Sequence, residues 1–354
     1  MATKTLAIDI REAQEDAAGK GRYCLELTKA LIATAPPNVH FVLLTKAPNP
    51  LFTQQENVEQ VVIPGRGFFW HLNLRAYLKA HPADLFLATT SLIYPAIAPK
   101  GQVVGVVIHD LIAKLFPRQH AFFPTLVEHL TLLSALKKSD WIFTVSQHTW
   151  KDLLHFYPSM ASKAHGIIYP GVSPEFQHSD RKTLELPERF VLAVGTLQPR
   201  KNLQTLFAAL ESSDLHCCIV GGKGWKTKQI EKTIPASVRP RLHFLGYLRE
   251  RDLIEVYSRA ECLAFPSIYE GFGIPPLEAM ACGCPVLASN VASLPEVVGE
   301  AAMLLPPTEV KAWAQGLEDI CKPENQQKYR NLGYEQAKQF SWDISALKFW
   351  SLFE

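Results

Sequence analysis

The feature that most constrains this chain is a repeated alternation: short unbroken runs of Val, Ile and Leu are followed by longer stretches with apolar residues at helical spacing. "TLAIDI" (5–10), "VHFVLLT" (39–45), "VEQVVIP" (58–64), "DLFLAT" (84–89), "QVVGVVIHD" (102–110) and "WIFTVS" (141–146) read as strands. "GRYCLELTKALIATA" (21–35) reads as a helix with Tyr23, Leu27 and Leu31 on one face. Strands that are apolar throughout are covered on both faces, the condition of a parallel sheet. A second series follows "IIYPGVSPEF" (167–176): "RFVLAVGT" (189–196), "HCCIVGG" (216–222), "LHFLGY" (242–247), "CLAFPS" (262–267) and "PVLASN" (285–290) as strands, with "NLQTLFAAL" (202–210) and "RDLIEVYSRA" (251–260) as helices between them. The break at 172–188, rich in Pro, Ser, Asp and Glu, reads as a linker. The expected fold class is therefore α/β, with two Rossmann-like doubly wound domains facing each other across a cleft. The domains fall at 1–172 and 173–335, and an amphipathic C-terminal helix within 336–354 is expected to return to the first domain.

Composition narrows the function. A length of 354 residues suits two domains. A net charge of +2 gives no field toward polyanions, so no nucleic-acid partner is expected. No run of 18 apolar residues suggests a membrane span, and "MATKTLAIDI" lacks a signal-peptide pattern, so a cytoplasmic location is expected. The seven cysteines are odd in number and form no C-x-x-C pair, which favours reduced, packed thiols over disulfides or zinc.

In open α/β sheets, ligands bind beyond the carboxyl ends of the strands, and the unusual residues cluster there. In "AAGKGRY" (17–23), Gly19 and Gly21 flank Lys20 just before a helix whose amide end favours phosphate; the stretch is not G-x-G-x-x-G, and by itself a plain strand-to-helix turn is the default reading. In "VGTLQPRKN" (194–202), Arg200 and Lys201 precede a helix, where cations oppose the dipole unless an anion lies between them; a solvated basic turn is the alternative. In "VVIHDLIAKLFP" (106–117), His109 ends an apolar strand and is either structural or directed at a ligand. In "SIYEGFGIPPLEAMACGCPVLASN" (267–290), Glu270 leaves a strand, Gly271 and Gly273 open a turn, Pro275 and Pro276 suit a helix start, and Glu278 lies about a turn inside it. Both acids come from one local unit, so each suits a different hydroxyl pair of one polar ligand; ordinary surface acids are the alternative.

Together these stretches resemble the retaining glycosyltransferases of family four, which have the GT-B fold and a Glu-x7-Glu signature. The 267–290 block carries that signature, and "VGTLQPRKN", "VGGKGW", "FLGYL", "IIYPGV", "TVSQHT", "LPEVVGEAA" and "IHDL" match its companions in order. The resemblance implies an acceptor-binding first domain and a nucleotide-sugar-binding second one. It implies that Glu270 holds donor-sugar hydroxyls, that Glu278 holds the ribose, and that the amides around Gly271, Phe272, Gly273 and Ile274 hold sugar and phosphate. Arg200 and Lys201 would neutralise the diphosphate, Gly19, Lys20 and Gly21 would close on it, His109 would stand near the sugar, and Tyr247 and Leu248 would line the base. Thr196 stands where parts of the family carry Arg. No cofactor is implied, and with no D-x-D motif no metal is expected; the cations take its place.

The activity implied is transfer of a hexose from a nucleotide diphosphate sugar to a glycan or lipid-linked acceptor, in the manner of mannosyltransferases and rhamnosyltransferases of surface polysaccharide and lipopolysaccharide synthesis. GDP-mannose is the first choice of donor; dTDP-rhamnose or a UDP-sugar is the alternative. A nucleotide-sugar epimerase shares the architecture but not the Glu-x7-Glu block. A Rossmann oxidoreductase would need G-x-G-x-x-G, and a non-catalytic sugar-nucleotide binder would have lost Glu270 or Lys201. "GRGFFWHLNLRAYLKAHP" (65–82) fits either a helix packed on the first sheet or one making peripheral contact with the inner face of a membrane.

Overall fold

In a computed structural model, which describes residues 3–15, 17–52, 56–116, 122–222, 224 and 227–353, the chain forms two compact units. Unit 1 comprises Met1–Gly171 with Trp342–Glu354, and unit 2 comprises Val172–Ser341. Among the described residues, unit 1 has the strands β1 (Lys4–Asp9), β2 (Val39–Thr45), β3 (Val58–Val62), β4 (Leu85–Ala88), β5 (Val104–Ile108), β6 (Trp141–Thr144) and β7 (Ala164–Ile167). They form one parallel sheet in the order β3-β2-β1-β4-β5-β6-β7. Unit 2 has β8 (Phe190–Val194), β9 (His216–Val220), β10 (Leu242–Gly246), β11 (Cys262–Phe265), β12 (Val286–Ser289) and β13 (Met303–Leu305). These too are parallel, in the order β10-β9-β8-β11-β12-β13. Both orders reverse direction once, between β1 and β4 and between β8 and β11, and these are the topological switch points of the two sheets.

The uniform apolarity of the central strands has the expected consequence: every residue of β4, β5, β11 and β12 is buried. Helices cover both faces. The helix Phe68–Ala80 packs Trp70, Leu74 and Leu78 into the first core and leaves Phe68, Phe69 and Leu72 in solvent. The C-terminal helix Trp342–Phe353 lies against the helix Lys20–Ala33 of unit 1. Its Trp350 indole donates to Thr34 Oγ1 at 3.1 Å, its Ser345 hydroxyl to the Tyr169 carbonyl at 2.5 Å, and Phe349 sits 5.4 Å from the Phe143 ring.

The stretch at 172–188 differs from a free linker, because unit 2 holds it down. The buried carboxylate of Glu255, on the helix Glu250–Arg259, accepts from the Leu184 amide at 2.9 Å and the Thr183 hydroxyl at 2.7 Å. All seven cysteines are free thiols and six of them are buried.

Candidate functional site

The principal cluster lies at the switch point of unit 2. After β8 the chain turns at Gly195, whose φ of 136° favours glycine. A Cβ there would meet the Lys201 side chain at 2.9 Å, so the missing side chain makes room for that lysine. Arg200 and Lys201 occupy a short 3-10 turn, Pro199–Lys201. Asn202 follows in the left-handed conformation, held by its side-chain amide to the carbonyls of Pro266 (3.0 Å) and Pro307 (2.6 Å). Across the switch point, the loop after β11 delivers Glu270. Its Oε2 accepts from Arg200 Nη1 and its Oε1 from Lys201 Nζ, both at 2.7 Å. Lys201 also lies 4.6 Å above the Phe265 ring.

The anion expected opposite Arg200 and Lys201 is thus, in the structure, a carboxylate of the same chain. The cluster carries a net charge of +1 in a site where Lys201 is 9% and Glu270 8% exposed. Burial alone would raise the Glu270 pKa, but the charges of Lys201 and Arg200 and the hydrogen bond from Lys201 prevail and bring it to about 2. Burial lowers the Lys201 pKa; Glu270 works against that shift and Arg200 with it. The carboxylate is therefore the firmly ionised partner at neutral pH.

The Gly-Phe-Gly turn is clamped from behind. Ser293 Oγ lies 2.9 Å from the Glu270 carbonyl and 2.6 Å from the Phe272 carbonyl, and donates its one proton between them. Phe272 is buried with its ring edge-on to Phe340 at 5.7 Å. Gly273, at φ 113°, precedes the helix Ile274–Ala281. Pro275 and Pro276 carry no N–H, so amide donors at this helix start come from Ile274 and the residues before it. Glu278 points inward and is buried, accepting from the Tyr257 hydroxyl at 3.0 Å. The two signature acids therefore differ in surroundings: Glu270 lies among cations, Glu278 beside a phenol. Thr196 is exposed beyond β8; Tyr247 and Leu248 follow β10, exposed and half-buried respectively. In the "VGGKGW" block, Lys223 and Trp225 lie outside the described residues.

Unit 1 gathers its own group at the β1/β4 switch point. Gly19, at φ 57° and ψ −122°, precedes the helix Lys20–Ala33 in a backbone shape reserved for glycine. Gly21 serves differently: a Cβ there would meet the Glu12 carbonyl oxygen at 2.6 Å and Ala17 Cβ at 2.9 Å, so this glycine lets the chain pack on itself. Lys20 is exposed. His109 Nε2 lies 2.7 Å from the Thr89 carbonyl and donates to it, with the Tyr23 ring edge-on at 4.8 Å. Burial and the charge of Lys20 lower the His109 pKa to about 4, so the imidazole is neutral at pH 7. Sequence reasoning passed over Asn202, Tyr257 and Ser293. Asn202 stood inside a quoted motif, whereas the other two have no local signal, because their partners lie 21 or more residues away.

Two parallel doubly wound units with the charged cluster at a switch point define the GT-B architecture, and solved structures share it. Sucrose-phosphate synthase from Thermosynechococcus elongatus superposes with a TM-score of 0.81 over 99% of this chain and 98% of that one, at 22% identity. Anabaena Alr3699/HepE in complex with UDP and glucose gives 0.73 over 99% of each, at 21%. Residues 175–339 match the family model described as "Glycosyl transferases group 1". Among curated relatives, O-antigen chain mannosyltransferase B of Escherichia coli is 30% identical over 250 residues, 66% of either chain. Serotype-specific mannosyltransferase WbdA of Escherichia coli is 31% identical over 263 residues, which span 68% of this chain but 32% of that protein. The chain belongs to the group 1 glycosyltransferases, as the Glu-x7-Glu block implied.

Proposed function

We propose that this protein is a retaining hexosyltransferase that moves mannose from GDP-mannose to a glycan or lipid-linked acceptor in surface polysaccharide synthesis. The observation that carries the reading is the Arg200–Lys201–Glu270 cluster at the unit 2 switch point, within a group 1 glycosyltransferase sequence. The mannosyltransferase relatives favour the sugar. A UDP-sugar is the second reading, favoured by the UDP and glucose bound to the Anabaena protein; dTDP-rhamnose is the third.

In this reading unit 2 takes the donor and unit 1 the acceptor. The bond between the anomeric carbon and the phosphate oxygen breaks. The acceptor oxygen bonds to that carbon on the same face, and its proton passes to the departing diphosphate. Negative charge grows on the leaving group, and Arg200 and Lys201 are fixed cations placed to stabilise it, the kind of electrostatic arrangement worth about 3–4 kcal/mol per donor. They supply charge that a metal supplies elsewhere, so transfer is expected to persist in EDTA. Glu270, exchanged from the cations to the sugar hydroxyls, orients the hexose. The carboxylate is not assigned as a nucleophile.

The test is a thermal-shift panel of GDP, UDP, dTDP and ADP with their sugar conjugates, on wild type and Lys201→Ala. Stabilisation by one base, lost in the variant, is expected, and NMR of the product is expected to give retained anomeric configuration. Stabilisation by none of them, or inverted product, overturns the reading. We also propose peripheral attachment to an anionic bilayer face through Phe68 (54% exposed) and Phe69 (72%), flanked by the exposed Arg66 and Arg75. Liposome flotation tests it, and absence of binding at low salt refutes it.

A further inference from the structure

We infer that Tyr257 is a positioning residue for the nucleotide ribose, acting through Glu278. The inference rests on the donor reading above, in which Glu278 receives the ribose hydroxyls. Tyr257 lies on the helix Glu250–Arg259 with its ring wholly buried, packed edge-on against Phe176 at 6.3 Å. Its hydroxyl reaches the neighbouring helix Ile274–Ala281 and meets Glu278 Oε2 at 3.0 Å. A phenol facing a carboxylate is the donor, and burial with the adjacent Glu278 charge raises its own pKa well above the ordinary value, so the proton stays on Tyr257.

A carboxylate has two oxygens and about four acceptor directions. An accepted bond from a rigid, buried phenol anchors Oε2 and so restricts how the group turns and where its other directions point. The ring is held by its helix and by Phe176, so the direction is set by the core of unit 2 and not by the ligand. Glu278 stands on the same eight-residue helix that leaves the Gly-Phe-Gly turn, four residues beyond Ile274. A carboxylate aimed in this way discriminates between a sugar with hydroxyls and one without, since the sugar that lacks them leaves the aimed acceptor directions without the partner they are set for.

The experiment measures dissociation constants, by calorimetry, for the diphosphates of guanosine, uridine, adenosine and thymidine, each against its counterpart lacking every ribose hydroxyl. The proteins are the full chain, Tyr257→Phe and Glu278→Gln, with thermal melts in parallel. In the wild type, the preferred base is expected to bind more tightly with its hydroxyls than without. Tyr257→Phe is expected to cut that preference about three- to tenfold, while affinity for the hydroxyl-free form stays within about twofold. Glu278→Gln is expected to cut it at least as far. A preference unchanged in Tyr257→Phe overturns the inference alone. Equal weakening of both forms, in step with a lower Tm, also overturns it, because that is the mark of general loosening. No preference in the wild type, or no binding of any diphosphate, overturns the ribose reading and this inference with it.

Discussion

Glu270→Gln keeps the outline of a side chain and deletes the charge that Arg200 and Lys201 share. Both contacts are 2.7 Å. Burial would raise the Glu270 pKa, yet the two cations bring it from its ordinary 4.5 to about 2. At about 1.4 kcal/mol per pKa unit this is a net coupling, the opposing cost of burial included, of roughly 3 kcal/mol. The variant leaves two cations side by side in a water-poor site, so it is expected to lose up to about 3 kcal/mol of stability at pH 7. The sign with pH follows from the depressed pKa. The Glu270 contribution is complete above pH 4.5 and is lost as pH falls toward 2. Urea unfolding is therefore expected to show a constant gap between wild type and variant from about pH 7 to 5, closing below 4.5. Ligand binding moves the other way. Inorganic pyrophosphate competes with Glu270 for the same cations; if the variant recovers half of the coupling, pyrophosphate binds it about tenfold more tightly. The readout is a larger rise in Tm at equal ligand concentration, together with loss of sugar transfer. Pyrophosphate binding no tighter than in wild type, or a stability gap as wide at pH 3.5 as at pH 7, refutes the reasoning.

Other perturbations carry their own outcomes. Gly195→Ala forces a Cβ to within 2.9 Å of the Lys201 side chain at a φ of 136°, and is expected to lower affinity for nucleoside diphosphates about tenfold or more in calorimetry. His71 is buried beside Arg11, and burial with the Arg11 charge lowers its pKa to about 4. The unfolded chain takes up that proton first as pH falls from about 6.5 to 4, so stability declines over this window, and His71→Gln is expected to flatten the decline in pH-dependent melts. Gly21→Ala meets a backbone carbonyl at 2.6 Å and is expected to destabilise unit 1 by about 1–3 kcal/mol in denaturant unfolding. Replacing Phe68 and Phe69 by Ser is expected to abolish flotation with anionic liposomes and leave the Tm within a few degrees, because both rings are in solvent.

What the sequence conveyed well was periodic or local. The runs of Val, Ile and Leu gave both parallel sheets, because an all-apolar strand has few other places to lie. Glu270, Arg200 and Lys201 stood out because charge beside glycine and proline at a strand end is unusual. What was not legible was mutual geometry. That Glu270 sits between the two cations depends on β8 and β11 being neighbours, a fact of strand order with no local trace. Gly21 looked like a place for a ligand and is also a place for the Glu12 carbonyl; both demand glycine. The 172–188 stretch had a linker composition, yet its Thr183 hydroxyl and Leu184 amide are held by Glu255, some 70 residues further on.

The helix Trp342–Phe353 carries a consequence for the order in which the molecule is made. Unit 1 is interrupted in sequence by the whole of Val172–Ser341 and receives the helix Trp342–Phe353 only after it. At about 5–20 residues per second, a ribosome takes roughly 10–30 s to cross that interval. Throughout it, the surface of Phe41, Phe143 and Tyr23 that Trp350, Phe349 and Trp342 later cover stays open to solvent. The nascent first unit thus waits, unfinished and apolar on one face, while a complete second unit emerges behind it. Yield on expression should therefore be more sensitive to changes in those last twelve helical residues than to changes of equal size elsewhere on the surface.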